Sequence, residues 1–426
     1  MTPLPGSPHI AYRGAHLHVE GRRAAELARE HGTPLYVYSE AAMREALAAY
    51  QRALQGREHL LCYAVKANSN LAVLQLFAQA GCGFDIVSIG ELRRVLAAGG
   101  DAAKTVFSGI GKTQTEMREA LEAGVRCFNV ESEAELELLS EVAAASGRTA
   151  RISLRVNPDV DAGTHPYIST GLKGNKFGIA HERALATYRR AAGLPGIAVA
   201  GIDCHIGSQI TDTAPYLDAL DRLLDLIEAV EAAGIPLHHL DLGGGLGITY
   251  RDEVPPSAEL LVRQLLARID ARGHGHREVV FEPGRSLVGN AGVLLTEVLY
   301  LKPGEQKNFC IVDAAMNDLA RPAMYEAYMG IVPCERRDGV TAVRMDVVGP
   351  VCESGDWLGR DRDLAVLAGD HLAVLSAGAY GMSMASNYNT RGRAAEVLVA
   401  GDRAWVVRDR ESPTQLFTGE HLPPAR

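Results

Sequence analysis

The stretch HLLCYAVKANSNLAVLQLFAQAGCGFDIVS, residues 59–88, joins two short apolar runs through a segment with helical spacing. The runs at 59–65 and 83–88 have the length and the β-branched and aromatic content of buried strands. Residues 70–80 between them carry apolar side chains at helical intervals, and Gly81 follows, as glycine often does after a helix. The stretch therefore predicts a strand, a helix and a second strand, the repeat unit of a parallel sheet.

The same alternation continues as far as residue 285. Eight β-type runs occur in this region, with helical segments between them. They are HLLCYAV (59–65), GFDIVS (83–88), TVFSG (105–109), RCFNVES (126–132), RISLRVN (151–157), VAGIDCHIG (199–207), LHHLDLGGG (237–245) and EVVFEPG (278–284). Eight strand–helix repeats predict a (β/α)8 barrel, with a doubly wound sheet as the alternative.

After the last of these runs the alternation of strand-like and helical segments ends. Apolar and β-branched runs follow one another with only turns between them, which predicts an antiparallel β-domain. One more strand-like piece, HIAYRGAHLHVEG, lies at residues 9–21. We therefore expect residues 1–38 to join the β-domain, residues 39–288 to form the barrel, and residues 289–426 to complete the β-domain.

The bulk composition excludes several classes of protein. The chain has 426 residues, 47% of them hydrophobic, and a formal charge of −9. Because no basic stripe interrupts this negative balance, nucleic acid and anionic membranes are not expected partners. A small anionic substrate remains compatible, since a few local arginines can bind it.

The seven cysteines are widely spread and form no C-x-x-C pair, so the sequence predicts neither a disulfide framework nor a metal site. The paired histidines at 16/18 and 274/276 lack a third ligand nearby, and His238 and His239 would point to opposite faces of a strand. No signal-like or membrane-spanning apolar stretch is visible, and the expected location is the reducing cytoplasm.

The barrel rule places candidate chemistry at the carboxyl ends of the strands. Polar residues and glycines at these ends are Lys66, Asp85, Ser88, Asn157, His205, Gly243 to Gly245, and Glu282 to Arg285. A lysine at a strand end is ordinarily solvated. Here it would share one barrel mouth with an imidazole, a glycine turn and an acid.

The glycine turn DLGGGLGI, residues 241–248, has the character of a phosphate cradle. It fails as a dinucleotide fingerprint because Ile248 stands where the third glycine would be. A phosphate site, a lysine and an opposing carboxylate are the parts that hold pyridoxal phosphate. This combination favours a chemical role for Lys66.

Nine motifs, in order along nearly the whole chain, resemble the diaminopimelate decarboxylases, pyridoxal-phosphate enzymes with the alanine-racemase-like fold. They are YAVKAN (63–68), GFDIVSIGEL (83–92), NPDVDAGTHPYISTGLKGNKFGI (157–179), CHIGSQI (204–210), DLGGGLGI (241–248), EPGRS (282–286), DLARPAMYEAY (318–328), GPVCESGDWL (349–358) and GAYGMSMASNYN (378–389). The resemblance implies a barrel plus a β-domain, in agreement with the prediction above.

The resemblance also assigns roles around the cofactor. Lys66 would form the Schiff base, His205 would stack on the ring as a further catalytic residue, and Glu282 would keep the pyridine nitrogen protonated. The residues implied at the phosphate are Ser208, Gly244, Gly245, Gly284, Arg285 and Tyr380.

For the substrate, the resemblance implies that Arg285, Arg321 and Tyr325 bind a distal carboxylate, that Glu353 binds a distal ammonium, and that Tyr380 contributes a hydroxyl. Two guanidinium groups suit a carboxylate, and a carboxylate suits an amine. Cys352 would be the proton donor, delivered with Glu353 across a homodimer interface. The implied reaction converts meso-2,6-diaminopimelate to L-lysine and CO2, the last step of bacterial lysine biosynthesis.

Three alternatives remain open from the sequence. One is a decarboxylase of the same fold acting on ornithine, arginine or a modified diaminopimelate, or a racemase; the ornithine and arginine enzymes tend to carry Asp after the cysteine, whereas residues 352–354 read CES. The second is a non-catalytic pyridoxal-phosphate protein, which would resemble the barrel alone. The third, a nicotinamide oxidoreductase, is disfavoured by the failed fingerprint.

Overall fold

The N-terminal part of the chain contributes small elements that precede the barrel. The computed structural model describes residues 3–161 and 175–424. The first elements are β1 (Ile10–Arg13), β2 (His16–Val19), β3 (Arg22–Arg23), α1 (Ala24–His31), β4 (Leu35–Ser39) and α2 (Glu40–Leu54). β1, β2 and β3 form a small antiparallel sheet. Leu17 and Val19 alternate inward from β2 and pack in one core with Leu27 of α1, as strand periodicity requires.

All eight predicted barrel strands are present and their pairings are parallel. The strands of this sheet are β5 (His59–Ala64), β6 (Gly83–Ile86), β7 (Thr105–Phe107), β8 (Cys127–Val130), β9 (Ala150–Asn157), β10 (Ile179–Ala180), β11 (Ile197–Asp203), β12 (His239–Asp241) and β13 (Glu278–Phe281). β13 pairs with β5 and β8 pairs with β9, so eight strands close on themselves, and β10 is a short addition to β9. The (β/α)8 prediction is confirmed, and the doubly wound alternative is wrong, because a doubly wound sheet would leave two free edges.

Helices follow the barrel strands. They are α3 (Leu71–Gln79), α4 (Ile89–Ala97), α5 (Gln114–Ala123), α6 (Glu133–Ala145), α7 (His181–Ala192), α8 (Ala214–Ala232), α9 (Ala258–Ala271) and α10 (Arg285–Val288). Side-chain caps fix where several of them begin: Asn70, Ser88, Ser132 and Ser257 each accept a backbone hydrogen bond, and Thr113 forms a capping box. These caps set the length of the loops that carry the strand-end residues.

The second sheet is mainly antiparallel and combines the N-terminal segment with the C-terminal third, as predicted. Its remaining elements are β14 (Gly292–Lys302), β15 (Asn308–Val312), α11 (Arg321–Tyr325), β16 (Ile331–Pro333), β17 (Val343–Val348), β18 (Trp357–Leu364), β19 (His371–Val374), β20 (Ala395–Ala400) and β21 (Arg403–Arg408). The strand order is β18-β17-β15-β14-β4-β20-β21, with β19 pairing β14 and β16. β4 pairs with β14 on one edge and with β20 on the other, and every one of its residues is buried.

The chain divides into two compact units. The first, here called the β-unit, comprises Met1–Glu45, Thr249–Glu253 and Val288–Arg426; the second, the barrel unit, comprises Ala46–Ile248 and Val254–Leu287. Residues 39–45 thus group with the β-unit, and so does the five-residue segment between β12 and α9. In the described part of the chain, no helix combines the length and apolarity needed to cross a membrane.

Candidate active site

Lys66 lies in a single 3-10 turn, Val65–Ala67, that directly follows β5. Its Nζ is 2.5 Å from Oδ2 of Asp85, a residue of β6 whose side chain is 0% exposed. The lysine side chain itself is 37% exposed. The amine is therefore held at the carboxyl ends of two adjacent strands, and the ordinary interpretation of a freely solvated lysine does not apply to it.

Glu91 lies in the first turn of α4, where the charge of Lys66 lowers its pKa and the charge of Asp85 raises it. Burial raises the pKa of Glu91 to about 7, against the opposing effect of a backbone hydrogen bond from Val87. Because the folded chain then binds this proton more tightly than the unfolded chain, the contribution of Glu91 to stability falls as the pH rises from about 4.5 to about 7.

We expect Glu91→Gln to flatten this pH dependence. Between pH 5 and pH 8 the wild-type protein should lose more free energy of unfolding than the variant, by on the order of 2 kcal/mol. Urea denaturation at the two pH values measures the difference. Glu122→Gln, on the exposed surface of α5, is the control and should keep the wild-type slope. Equal slopes for E91Q and wild type would contradict the prediction.

Three buried carboxyl groups meet where the last three barrel strands end. Asp203, Asp241 and Glu282 follow or finish β11, β12 and β13, and their carboxyl oxygens lie within 4.8 Å of one another. Burial raises the pKa of Asp241 to about 6 and raises the pKa values of Asp203 and Glu282 well above their usual range, and the neighbouring carboxylates add to the shifts of Asp203 and Glu282. At this spacing three carboxyl groups either share protons or hold a cation.

Two polar residues on neighbouring strands contact this carboxyl cluster or its surroundings. Nδ2 of Asn129 donates to Oε1 of Glu282 at 3.2 Å. Arg155, on β9, donates to Glu131 at 3.0 Å, and its Nε is 4.0 Å from Oδ2 of Asp203. Arg155 is therefore shared between two carboxyl groups.

His205 follows β11 and accepts a hydrogen bond at Nδ1 from the backbone N–H of Gly244, 3.2 Å away. Burial, together with the positive charges of Arg155 and Lys66, lowers the pKa of His205 well below its usual value. The imidazole is therefore neutral at physiological pH, and the acceptor role of Nδ1 leaves the ring hydrogen on Nε2.

The glycine turn after β12 packs too closely against backbone to carry side chains. A Cβ on Gly244 would lie 2.2 Å from the carbonyl oxygen of Glu282, and a Cβ on Gly245 would lie 2.3 Å from that of Gly207. The turn is tied to the loop after β11, since Ile210 donates to the carbonyl of Gly245 at 3.0 Å. Of the backbone donors predicted for a phosphate, the N–H of Gly244 is engaged with the imidazole.

We expect Gly244→Ala to lower the free energy of unfolding by roughly 1 to 3 kcal/mol, because the added methyl group overlaps backbone that cannot move cheaply. Thermal and urea denaturation measure the loss. Gly111→Ala is the matched control, since a Cβ there meets nothing within 4 Å, and it should be close to neutral. A G244A protein as stable as wild type would show that the turn relaxes freely.

Arg285 begins α10 and is buried, and its Nη2 donates to Oγ of Ser208 at 2.9 Å. The preceding Gly284 approaches β5 and the turn after it, because a Cβ there would lie 3.0 Å from Cβ of Ala67 and 3.1 Å from that of Ala64. The predicted phosphate residues from the loops after β11 and β13 are thus in contact with each other.

Within the β-unit, Arg321 opens α11 and Tyr325 closes it. The Arg321 side chain is buried, and its guanidinium carbon lies 5.0 Å from the ring centre of Tyr250 and 5.9 Å from that of Tyr325. Stacking on two rings orients the guanidinium plane and favours recognition of a planar anion.

The CESGD segment, residues 352–356, follows β17. Its last residue, Asp356, accepts hydrogen bonds from the N–H groups of Val351, which precedes the segment, and of Met316, at 2.7 Å each. Cys352 is exposed, the other six cysteines are buried, and none is in a disulfide. The N–H of Cys352 donates to Oδ1 of Asn389 at 3.1 Å.

Glu353 accepts a hydrogen bond from the hydroxyl of Tyr388. Tyr380 lies in the loop after β19 with φ of +55°, a left-handed conformation that non-glycine residues seldom adopt and that is frequent at functional sites.

Several residues of these clusters were not predicted from the sequence. Missed were Asn129, Glu131, Arg155, Asp203, Asp241, Asp356, Tyr388 and Asn389. Asp203 and Asp241 had a usable signal, because an acid that ends a β-type run stands where the barrel rule places chemistry.

Ser88 was predicted for the barrel mouth and caps α4. Within the motif at 157–179, residues 162–174 lie outside the described residues.

Comparison with known proteins gives the class of the molecule. A sequence profile described as "Pyridoxal-dependent decarboxylase, pyridoxal binding domain" matches residues 40–289, more than half of the chain. Diaminopimelate decarboxylase of Pseudomonas aeruginosa is 59% identical over 415 residues, which cover 97% of this chain and 99% of that protein. The Vibrio cholerae enzyme of the same name is 56% identical over 400 residues, with 94% and 95% covered.

Among solved structures, diaminopimelate decarboxylase from M. jannaschii in co-complex with L-lysine superimposes with a TM-score of 0.94 at 39% identity and covers 99% of both chains. The chain therefore belongs to the pyridoxal-dependent decarboxylases and, within them, to the diaminopimelate decarboxylase family. The predicted family, fold class and dependence on pyridoxal phosphate are confirmed.

The geometry of the barrel unit fits such a cofactor. Lys66 supplies an amine at the barrel mouth, and the turn at 243–245 has no room for side chains. Buried carboxyl oxygens of Asp85, Asp203 and Asp241 have no hydrogen-bond partner among the described residues. Such unmatched acceptors suit a group that brings positive charge and protons.

Proposed function

We propose that the protein removes CO2 from meso-2,6-diaminopimelate and releases L-lysine, with pyridoxal phosphate held by Lys66. The observation that carries this proposal is the ion pair of Lys66 with buried Asp85 at the mouth of a barrel in which Glu282 follows the adjacent strand, β13. Family membership at 56–59% identity over nearly the full chain supports the substrate.

The residues that would hold the cofactor are Lys66 at its aldehyde carbon, Glu282 at its ring nitrogen, His205 at its ring face, and Ser208, Gly245, Gly284, Arg285 and Tyr380 near its phosphate. When bound, the cofactor supplies an electron sink for the bonding pair that CO2 leaves behind. Neutral His205 adds no positive charge at the ring, so the charge at the ring nitrogen is set by Glu282.

The chain's own residues would then bind the substrate and transfer the protons. Arg321 and Tyr325 would bind the distal carboxylate and Glu353 the distal ammonium, which fixes the end of the substrate that reacts. The carboxylate of Asp85 lies within hydrogen-bond distance of Nζ of Lys66 and can stabilise the ammonium form of this lysine. Cys352 would deliver its thiol proton to the carbon that lost CO2, so that a C–H bond replaces the broken C–C bond.

A distal carboxylate separates this substrate from ornithine and arginine, which have only a cationic group at that end. The guanidinium of Arg321 lies over the rings of Tyr250 and Tyr325 and presents a buried positive charge in the β-unit. A cationic substrate end would meet like charge at this position, which favours diaminopimelate over the basic amino acids.

We also propose that the protein acts as a homodimer in the cytoplasm, with Cys352 and Glu353 completing the partner's site. An exposed thiol and a glutamate on one short loop suit such a contribution, and six buried free thiols suit a reducing compartment. Sedimentation of the cofactor-loaded protein, and mixing of Lys66→Ala with Cys352→Ala chains, test the dimer. Recovery of activity in the mixture is expected, and no recovery would contradict a shared site.

The experiment that tests the function supplies purified protein and cofactor with meso-diaminopimelate, L-ornithine, L-arginine and L-lysine in turn. CO2 and the amine product are measured. We expect CO2 and L-lysine from diaminopimelate alone. Release from ornithine but not diaminopimelate would replace the proposed substrate, and binding of cofactor without CO2 from any of the four would favour a non-catalytic protein.

A further inference from the structure

The carboxyl cluster at the ends of β11, β12 and β13 holds more acid than the mechanism uses. Glu282 is assigned to the ring nitrogen of the cofactor, yet Asp203 and Asp241 lie within 4.8 Å of it and have no role in the proposed reaction. Both aspartates are at most 1% exposed. Burying such groups without function would be costly, since each charged carboxylate loses its hydration.

The surrounding charges do not balance the cluster. The titratable groups that act on it from the adjoining strands are Lys66, Asp85, Glu131, Arg155 and the thiols of Cys62, Cys127 and Cys204. Lys66 pairs with Asp85, and Arg155 is shared by Glu131 and Asp203. In the described part of the chain, no lysine or arginine nitrogen lies within 4.0 Å of the carboxyl oxygens of Asp241 or Glu282.

The cluster also lacks hydrogen-bond donors. Oδ1 of Asp241 accepts from the N–H of Gly243 at 2.9 Å, whereas its Oδ2 is buried and has no donor among the described residues. The neighbouring groups are carboxyl oxygens, which donate only when protonated, and the amide of Asn129, which already donates to Oγ of Ser108 and to Oε1 of Glu282. A proton on the Asp241–Glu282 pair supplies the missing hydrogen bond and removes the repulsion between two buried charges.

We propose that Asp241 is a positioning residue that keeps a proton on Glu282 before the cofactor binds, so that Glu282 passes this proton to the ring nitrogen as the cofactor arrives. The O–H bond of Glu282 breaks, an N–H bond forms at the ring, and the new cation pairs with the new carboxylate. When the cofactor arrives with an unprotonated ring nitrogen, the net charge of the buried site is unchanged, and no proton is drawn from solvent. This inference rests on the proposed function only in taking pyridoxal phosphate as the cofactor.

Asp241→Asn is the direct test, because asparagine is isosteric and its Oδ1 can keep the hydrogen bond from Gly243. Without the carboxylate of Asp241, the pKa of Glu282 is raised only by burial and by Asp85 and Asp203, so a larger fraction of Glu282 should be ionised before binding. For that fraction, the ring nitrogen must take its proton from the buffer. The test is a calorimetric titration of cofactor-free protein with pyridoxal phosphate, in buffers of different ionisation enthalpy and at a pH at which the ring nitrogen of the free cofactor is unprotonated. It should show more proton uptake by D241N than by wild type, up to about one proton per site.

Infrared spectroscopy of the cofactor-free protein gives a second readout that involves neither cofactor nor substrate. The C=O stretch of protonated carboxyl groups should be present at pH 8 in wild type and should be weaker in both D241N and Glu282→Gln. Asp346→Asn is the matched control, a buried aspartate of the β-unit that pairs with Lys307, and it should change neither readout.

Equal proton uptake by folded D241N and wild type, or an unchanged carboxyl band, would overturn the inference. Binding of Mg²⁺, Ca²⁺ or Zn²⁺ by wild type but not by D241N would overturn it as well, since a cation would then balance the cluster. If D241N does not fold, Asp203→Asn removes a carboxylate from the same cluster and should shift both readouts in the same direction by less. A protein that passes these tests but releases no CO2 from diaminopimelate would refute the proposed function alone.

Discussion

A Lys66→Arg protein should bind pyridoxal phosphate without covalent attachment and should lose decarboxylation by at least about 10²- to 10⁴-fold, the range that a positioned proton-transferring amine contributes. The guanidinium of arginine keeps the positive charge near Asp85 but is neither a nucleophile nor a proton donor at physiological pH. The charge of the site is therefore preserved while its chemistry is removed.

Two measurements check this expectation. Reduction with borohydride followed by mass spectrometry reports covalent attachment, and CO2 release reports turnover. Lys104→Arg is the matched control, because Nζ of Lys104 donates to the carbonyl of Gly81 at 3.2 Å, and Lys104 lies just before β7 rather than at the carboxyl end of a barrel strand. It should retain both signals. A K66R protein that still carries the cofactor covalently would assign the attachment to another lysine.

The second large effect is expected at Arg321. Arg321→Met should lower kcat/KM for meso-diaminopimelate by about 10²- to 10³-fold, since removal of one partner from a desolvated charge pair costs roughly 2 to 5 kcal/mol and each 1.4 kcal/mol is a factor of ten. Methionine keeps much of the packing against Tyr250, so the loss should lie in recognition rather than in folding.

Steady-state kinetics with a thermal unfolding curve for each variant separate these contributions. Arg321→Lys should fall between wild type and R321M, because an ammonium retains the charge without the planar fork. Arg360→Met is the control: its guanidinium is exposed and stacks on Trp357. Unchanged kcat/KM in R321M would remove Arg321 from the substrate site and reopen the choice among basic amino acids.

The barrel could be predicted from the sequence because the patterns that define its strands and helices are local. Apart from the closing pair of β13 with β5, each strand pairs with a neighbour that follows one helix later in the chain, and repeats such as 59–88 show both periodicities. The same reasoning found Lys66, His205 and Glu282, since the end of a parallel strand can be located without knowing which strands adjoin it.

The β-unit was harder to predict from the sequence, because its strand pairings are not local. β4 pairs with β14 and β20, strands more than 250 residues away, and no local pattern reports such pairings. The partners of the CESGD segment also lie outside any local pattern: Asn389 is 37 residues from Cys352, which it contacts, and Tyr388 is 35 residues from Glu353. The excess of acid around Glu282 also escaped the sequence, because charge balance in a core depends on which side chains meet in space.

The segment Thr249–Glu253 has a practical consequence for recombining members of this family. It is encoded between β12 and α9 yet belongs to the β-unit, where Tyr250 supports the guanidinium of Arg321. A chimaera made at the apparent junction near residue 288 would combine the Tyr250 of one parent with the Arg321 of the other. Chimaeric enzymes with altered substrate choice should therefore be built from three exchanged blocks, with residues 249–253 transferred together with the two ends of the chain.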